Sequence, residues 1–187
     1  MRPAFYTLSF LSLLALFLLP SFAHAQDEET AMPPAKPEDV QSVDAIIAAT
    51  YDVISGAAGE PRDWDRFRSL LAPYARFVPI RRFEDGTHRG VLSTPEQFIE
   101  GASAYFAQNG FYETESARTT ERYGNLVHAF STYESRHTPD DEAPWQRGIN
   151  SFQLIYENDR WWVISIAWQP EWPDLPIPAK YLPDGGQ

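Results

Sequence analysis

One stretch of the sequence decides the fold: Arg160-Trp161-Trp162-Val163-Ile164-Ser165-Ile166-Ala167-Trp168-Gln169. Apolar side chains recur at every second position, which is the pattern of a β-strand with one face against a core. A second alternating stretch, residues 149–156, precedes it across the turn Glu157-Asn158-Asp159-Arg160. Two such stretches joined by a short polar turn predict a β-hairpin.

The register of this hairpin depends on the length of its loop, because a slip of one residue exchanges the two faces of a strand. A three-residue or bulged loop gives the cleaner amphipathic hairpin, and we expect that register. A loop of two or four residues would instead pair Ile155 with Trp162. In the expected register the buried face carries Asn150, Phe152, Leu154, Tyr156, Trp162, Ile164, Ile166 and Trp168.

The sequence before this hairpin predicts helices first and then a meander of strands. Helical spacing of apolar residues begins near Val40, Asp63 caps a short second helix, and Thr94 begins a third helix. Strand patterns cover residues 75–83, 88–92, 111–123 and 126–137. The order predicts an α+β roll, in which one curved sheet wraps a long helix and leaves a cavity at its open end.

Three segments resemble the SnoaL-like, nuclear transport factor 2-like (NTF2-like) superfamily. They are Gly124-Asn125-Leu126-Val127-His128-Ala129-Phe130-Ser131-Thr132-Tyr133-Glu134, Arg147-Gly148-Ile149-Asn150-Ser151-Phe152-Gln153-Leu154 and the stretch 160–169 quoted above. The resemblance covers about residues 40–169 and implies a cone-shaped α+β roll, with a curved, mostly antiparallel sheet wrapped around two to three helices. It implies no single function, because this scaffold hosts isomerases, dehydratases, epoxide hydrolases and transport factors. It also implies that a homodimer through the open sheet face is one arrangement to consider.

The amino-acid composition argues against several classes of binding partner and chemistry. The 187 residues include 15 Lys and Arg against 26 Asp and Glu, and the net charge of −11 argues against nucleic acids and anionic membrane surfaces. The absence of Cys excludes disulfides and thiol catalysis. Aromatic residues make up 14% of the chain, enough to line a pocket with rings. We find no Gly-rich phosphate loop and no metal-ligand spacing, and therefore expect neither a cofactor nor a metal site.

The two ends of the chain are predicted to lie outside the folded domain, which spans residues 40–169. Residues 1–25 have the features of a signal peptide, with Arg2, an apolar stretch and Ala23-His24-Ala25 before the cleavage point. The acidic, Pro-rich residues 26–39 predict a disordered spacer, and residues 170–187 predict a Pro-rich arm docked on the domain. We expect a periplasmic or secreted protein with no membrane partner after cleavage. An uncleaved N-terminal anchor is the competing interpretation.

The catalytic candidates are Asp52, His128 and Tyr133. Pairing across the Gly124-Asn125 turn puts His128 opposite Glu121, either as a carboxylate–imidazole dyad or, as we favour, as an ordinary exposed pair. Asp52 lies on the first helix, and an exposed position suits an Asp there better than a buried one.

The ligand-binding candidates are Arg118, Tyr133, Asn150 and Trp168. The same register places Arg118 opposite Ser131 and Ser116 beside Tyr133, so a concave face here would offer a cation and a hydroxyl to an anionic ligand. Asn150 and Trp168 lie together where the cavity opens. An Asn in an apolar row needs a hydrogen-bond partner, from a ligand or from the backbone. We expect Tyr133, Asn150 and Trp168 to border one cavity.

Three functions follow from these features. The first is binding of a small apolar or aromatic molecule in an aromatic-lined cone, which we favour because no buried acid–base pair is evident. The second is cofactor-free isomerase or dehydratase chemistry, which a pocket carboxylate within hydrogen-bond reach of His or Tyr would favour. The third is a dimeric interaction module, which a cone filled by its own rings would favour.

Overall fold

The computed structural model describes residues 32–183, so the predicted signal peptide and the first part of the predicted spacer lie outside the described residues. Four helices and six strands follow one another along this part of the chain. They are α1 Pro37–Val40, α2 Val43–Ile54, α3 Trp64–Leu70, β1 Leu71–Arg82, β2 His88–Gly90, α4 Pro95–Phe106, β3 Tyr112–Tyr123, β4 Leu126–Arg136, β5 Gln146–Glu157 and β6 Arg160–Pro170, before a 3₁₀ turn at Ala179–Tyr181. No helix in residues 32–183 is long and apolar enough to cross a membrane.

The six strands form one mixed sheet in the order β2-β1-β6-β5-β4-β3. Strands β1 and β6 run parallel, and every other neighbouring pair is antiparallel. Helices α2, α3 and α4 pack on one face of this sheet, which we call the inner face. Three helices against one face of a mostly antiparallel sheet confirm the predicted α+β roll.

Side-chain caps define where the helices begin. Ser42 accepts a hydrogen bond from the backbone of Ala45 at the start of α2, and Asp63 does the same at the start of α3. Thr94 and Gln97 form a reciprocal capping box at the start of α4. The predicted caps at Asp63 and Thr94 are therefore present in the structure.

The β5–β6 hairpin differs from the register that we expected. Its loop has only two residues, Asn158 and Asp159, both with positive φ (53° and 59°), as a tight hairpin turn requires. Ile155 therefore pairs with Trp162, and the prediction that Trp162 lies on the buried face is wrong. Trp161 is buried instead, at 4% exposed.

A β-bulge restores the expected register farther along the same hairpin. The ladder shifts by one residue between Gln153 and Leu154, so that one extra residue of β6 is accommodated there. Beyond the shift, Asn150 faces Trp168 on the inner face, as expected. The inner face of β6 therefore presents Trp161 and Val163 before the bulge, and Ile166 and Trp168 after it.

The spacer prediction also needs correction at its C-terminal end. Residues 37–40 form the helical turn α1, and Asp39 is 6% exposed. The Arg66 guanidinium binds Asp39 through two hydrogen bonds of 2.7 and 2.9 Å and holds the pKa of that carboxyl below its ordinary value. This buried ion pair fastens the chain to the domain before Val40.

The C-terminal arm lies on the outer face of the sheet, opposite the helices. Thr132 donates a 2.6 Å hydrogen bond to the carbonyl oxygen of Tyr181, whose ring packs edge-on against Phe130. Nearer the start of the arm, the ring of Trp172 stacks on His88 with 4.5 Å between centroids. The described part of the arm, to residue 183, is thus docked, as the sequence predicted.

The corrected register predicts losses of stability of different size for two adjacent tryptophans. Trp161→Ala should lower the free energy of unfolding by about 3–5 kcal/mol, because it removes a buried aromatic side chain. Trp162→Ala should lower it by about 1 kcal/mol, because the Trp162 ring is only partly buried and is covered by the guanidinium of Arg160 at 3.6 Å. Urea denaturation of the two variants measures the difference. Equal losses, or a larger loss for Trp162→Ala, would contradict the observed hairpin.

Candidate functional site

A cavity of about 620 Å³ lies between the inner face of the sheet and helices α2, α3 and α4. This volume is within the range of pockets that hold small-molecule ligands. Rings and aliphatic groups line most of the cavity, and a hydrogen-bonded group of polar side chains lies on the β3–β5 side. The lining includes Tyr51, Ile54, Phe67, Phe77, Arg81, Phe98, Gly101, Phe106, Glu113, Tyr133, Ser135, Asn150, Phe152, Ile166 and Trp168.

One side of the cavity, which we call the aromatic wall, consists of Phe67, Phe77, Phe98 and Trp168. The rings of Phe67 and Phe98 stack with 5.4 Å between centroids, and Phe77 meets Phe98 edge-on at 5.4 Å. Trp168 meets both Phe77 and Phe98 edge-on, at 6.3 and 6.1 Å. Because each ring is held by its neighbours in a favourable geometry, the wall is ordered before any ligand arrives.

The other side, which we call the polar wall, consists of Tyr51, Glu113, Tyr133, Ser135 and Asn150. The Asn150 side-chain amide donates hydrogen bonds to the hydroxyl of Tyr51 at 3.1 Å and to Glu113 Oε1 at 3.3 Å. The Ser135 hydroxyl donates to Glu113 Oε2 at 2.8 Å. Asn150 therefore lies between a tyrosine and a carboxylate and bonds to both.

Glu113 reaches this wall because strand β3 contains a bulge. The ladder with β4 shifts between Glu115 and Ala117, so that Glu115 pairs with Tyr133 and Glu113 pairs with Ser135. The prediction that Ser116 lies beside Tyr133 is therefore wrong. Without the bulge, Thr114 rather than Glu113 would share the inner face with Tyr133.

Burial dominates the electrostatics of the polar wall. It raises the pKa of Glu113 to about 7, although the hydrogen bonds from Ser135 and Asn150 act in the opposite direction. Burial and the negative charge of Glu113 raise the pKa of Tyr51, and the same two effects raise that of Tyr133. Near neutral pH, both tyrosines are protonated and Glu113 changes its charge.

The structure brings three of the predicted site residues together. Tyr133, Asn150 and Trp168 all line the same cavity, on β4, β5 and β6. Tyr133 fits there because Gly148, directly opposite on β5, has no side chain: a Cβ at that position would lie 2.4 Å from the Tyr133 hydroxyl. Among the described residues, that hydroxyl has no hydrogen-bond partner, and it faces the cavity.

The remaining candidates lie elsewhere. Asp52 is exposed and forms an ion pair with Arg66 at 2.5 Å, so the expected exposed position is the observed one. His128 pairs with Glu121 as predicted, but it lies on the outer face and contacts Ser151 at 3.0 Å. Neither residue reaches the cavity, and a catalytic role in it is excluded by position.

Arg118 also lies away from the cavity lining. It pairs with Ser131 in the sheet, as predicted, and this pair is on the inner face. Its guanidinium is engaged by two carboxylates, Asp44 on α2 and Glu115 on β3. The proposed use of Arg118 as a cation for an anionic ligand in the cone is therefore not supported by its position.

The described residues offer no ready metal site. Within residues 32–183, no group of three or more His, Asp or Glu side chains is placed to hold a metal ion. The polar wall offers one carboxyl, two phenols, one amide and one aliphatic hydroxyl, from Glu113, Tyr51, Tyr133, Asn150 and Ser135, and the lining elsewhere adds further polar side chains, among them Arg81 and Gln97.

Comparison with known proteins supports the fold. No protein-family model matches the sequence, and a search of curated proteins gave no match. Among solved structures, a protein of unknown function with a cystatin-like fold from Nostoc punctiforme matches at 14% identity, with a TM-score of 0.51 over 70% of this chain and 89% of that chain. A protein of unknown function from Mycobacterium tuberculosis matches at 15% identity and a TM-score of 0.51, over 72% and 73% of the two chains.

An NTF2-like protein of unknown function from Silicibacter pomeroyi is also similar, at 13% identity and a TM-score of 0.46, over 68% of this chain and 92% of that chain. At these levels of identity, the comparisons show the fold alone. With the strand order and helix packing described above, the predicted α+β roll is confirmed.

The raised pKa of Glu113 predicts how stability depends on pH. A carboxyl with an ordinary pKa of 4.5 when unfolded and about 7 when folded binds its proton more tightly in the folded state. Its contribution to stability is therefore full below about pH 4.5 and is lost as pH rises to about 7. Glu113→Gln removes this pH-dependent loss of stability. The free energy of unfolding of the variant should therefore match that of the wild type at pH 5 and exceed it by about 1–3 kcal/mol at pH 8.

Urea denaturation at the two pH values measures this difference, and Glu121→Gln is the control because Glu121 is an exposed carboxylate on the same strand. A Glu113→Gln variant with the same stability increment at pH 5 and pH 8 would show that Glu113 is ionised over the whole range, as an ordinary surface carboxylate is.

Proposed function

We propose that the cavity binds a small, mainly apolar molecule that carries one polar group. The observation that carries this proposal is the division of the cavity into an aromatic wall and a polar wall that face the same space. The ligand body would lie against Trp168 and its neighbouring rings, and its polar group would lie at Glu113, Tyr133 and Asn150. Pockets that combine an apolar lining with a few convergent polar groups are typical small-molecule sites.

The open cavity also bears on the alternative of a purely structural interaction module. Rings that filled the cone would favour that alternative, whereas here the rings line a space of about 620 Å³. Lost packing and buried polar groups both destabilise a fold, so a cavity of this size that contains a carboxyl lowers stability when it is empty. This cost favours a binding role over a purely structural one.

Cofactor-free acid–base catalysis is the second candidate, and Glu113 favours it. A cavity carboxyl with a pKa of about 7 is suited to accept and return a proton near neutral pH. The role first considered for Asp52 or His128 would then belong to Glu113, with Tyr133 as a hydrogen-bond donor. Against this candidate, Glu113 makes no direct hydrogen bond to a tyrosine, and Asn150 lies between it and Tyr51. In both candidate functions, the cavity must first bind a small molecule.

We also propose that the domain acts outside the cytoplasm, in a periplasm or as a secreted protein. The support is the signal-like sequence of residues 1–25, with its small residues at Ala23 and Ala25. An acidic domain without Cys is compatible with that location.

The binding proposal can be tested with a variant that fills the cavity. Gly101 on α4 lines the cavity, and within residues 32–183 no heavy atom other than those of its chain neighbours and its own helix backbone lies within 4 Å of the position that a Cβ would take. Gly101→Trp should therefore occupy part of the space without displacing the core. The probe is 2-(1-naphthyl)ethanol, a neutral aromatic molecule with one hydroxyl, titrated by calorimetry.

The wild type should bind this probe at 1:1 stoichiometry with a dissociation constant on the order of 0.1 mM, which suits a ligand of this size. Gly101→Trp should weaken binding at least about tenfold, because the introduced ring and the probe exclude one another. Gly101→Ala is the matched control and should bind like the wild type. Binding by both variants that equals the wild type would contradict the proposal.

A further inference from the structure

Apart from the Tyr133 hydroxyl, the hydrogen-bond donors of the polar wall are already used within the protein. The Ser131 hydroxyl donates to Glu115 at 2.5 Å, so the hydroxyl of Tyr51, 2.7 Å from Ser131, must be the donor in that contact. The Tyr51 oxygen then accepts from the Asn150 amide, whose second N–H goes to Glu113. The orientation of the Asn150 amide follows, because a carboxylate can only accept.

What remains for a ligand is a set of acceptors. Within residues 32–183, the Asn150 carbonyl oxygen Oδ1 has no hydrogen-bond partner. The ionised Glu113 carboxylate has lone pairs beyond those taken by Ser135 and Asn150. The Tyr133 hydroxyl, also unpaired there, can accept as well as donate. The polar group that fits this wall best is one that supplies several hydrogen-bond donors at once.

The charge of Glu113 is balanced by no cation among the described residues around it. Its contacts with Ser135 and Asn150 are neutral, and so are the nearby phenols of Tyr51 and Tyr133. Arg81 lines the cavity from β1, but three strands separate β1 from β3 in the sheet. A buried carboxylate with neutral neighbours is costly, and a cation brought by a ligand would offset that cost.

We propose that the natural ligand of this cavity is an amine, with a protonated primary or secondary amino group on an apolar body of about two fused rings. This inference rests on the proposed binding function and names the ligand class. The ammonium group donates to Glu113, to Asn150 Oδ1 and to the Tyr133 hydroxyl, and the body lies on the aromatic wall.

Two other ligand classes fit this wall less well. An alcohol supplies one donor and no charge, so Glu113 stays uncompensated when the alcohol binds. A carboxylic acid, ionised at neutral pH, supplies no donor and is repelled by Glu113. Comparing the affinities of an amine, an alcohol and an acid that share one apolar body therefore isolates the contribution of the polar wall to binding.

The experiment uses 2-(1-naphthyl)ethylamine, 2-(1-naphthyl)ethanol and 1-naphthaleneacetic acid, each titrated calorimetrically into the protein at pH 8. The wild type should bind the amine about tenfold more tightly than the alcohol, since hydrogen bonds to charged groups are the stronger ones, and the acid most weakly. Glu113→Gln should lower amine affinity more than it lowers alcohol affinity, so that the two become about equal. Glu121→Gln removes an exposed carboxylate from the same strand and should change neither affinity.

A second measurement needs no variant. Amine affinity of the wild type should rise about tenfold between pH 5.5 and pH 8.5, because Glu113 ionises with a pKa of about 7 while an aliphatic amine stays protonated. The other titratable groups near Glu113 are Tyr51 and Tyr133, whose raised pKa values keep both protonated, and Glu115, which forms an ion pair with Arg118. Alcohol affinity should not increase over the same range.

The outcomes separate the two proposals. Alcohol and amine binding with equal affinity, tighter binding of the acid, or amine binding that neither Glu113→Gln nor pH changes would overturn the amine inference and leave the binding function in place. Failure of all three probes to bind would overturn both.

Discussion

Tyr51 joins helix α2 to the sheet through its hydroxyl, which bonds to Ser131 on β4 and to Asn150 on β5. Its ring packs edge-on against Phe152 in the core at 5.9 Å. An unpaired hydroxyl at this depth would cost about 1–3 kcal/mol, so the helix position and the orientation of the Asn150 amide are determined together. This arrangement positions the polar wall of the cavity, where Asn150 lies beside Trp168 of the aromatic wall.

The fold was predictable from sequence because its signals are local. Alternation in β5 and β6, the caps at Asp63 and Thr94 and the Gly124-Asn125 turn each act over a few residues, and the structure contains all of them. The inner and outer positions of Trp161 and Trp162 were not predictable in this way. They depend on a bulge that compensates for a two-residue turn, and the alternating pattern fits a longer loop equally well.

The candidate site was predictable only in part, for the same physical reason. Asn150 and Trp168 lie beyond the bulge of their hairpin and Tyr133 lies on an unbulged strand, so parity counted along the chain placed them correctly. Glu113 was missed because β3 has the composition of a solvated strand, and its own bulge turns Glu113 and Glu115 to the inner face. The pairing of Glu113 with Ser135, which is two residues along β4 from Tyr133, would have identified this carboxyl as a site residue. That pairing can be predicted only when the bulge in β3 is known.

The central claim is that the polar wall holds a half-buried, cavity-facing carboxyl whose neighbours supply hydrogen bonds but no charge. The most direct measurement is the protonation of Glu113 itself, followed through its side-chain carboxyl ¹³C resonance as pH is varied, with the resonance assigned by its loss in Glu113→Gln. The account predicts a titration midpoint near 7. A midpoint near the ordinary value of 4.5 would contradict it, because the carboxyl would then be solvated or paired with a cation.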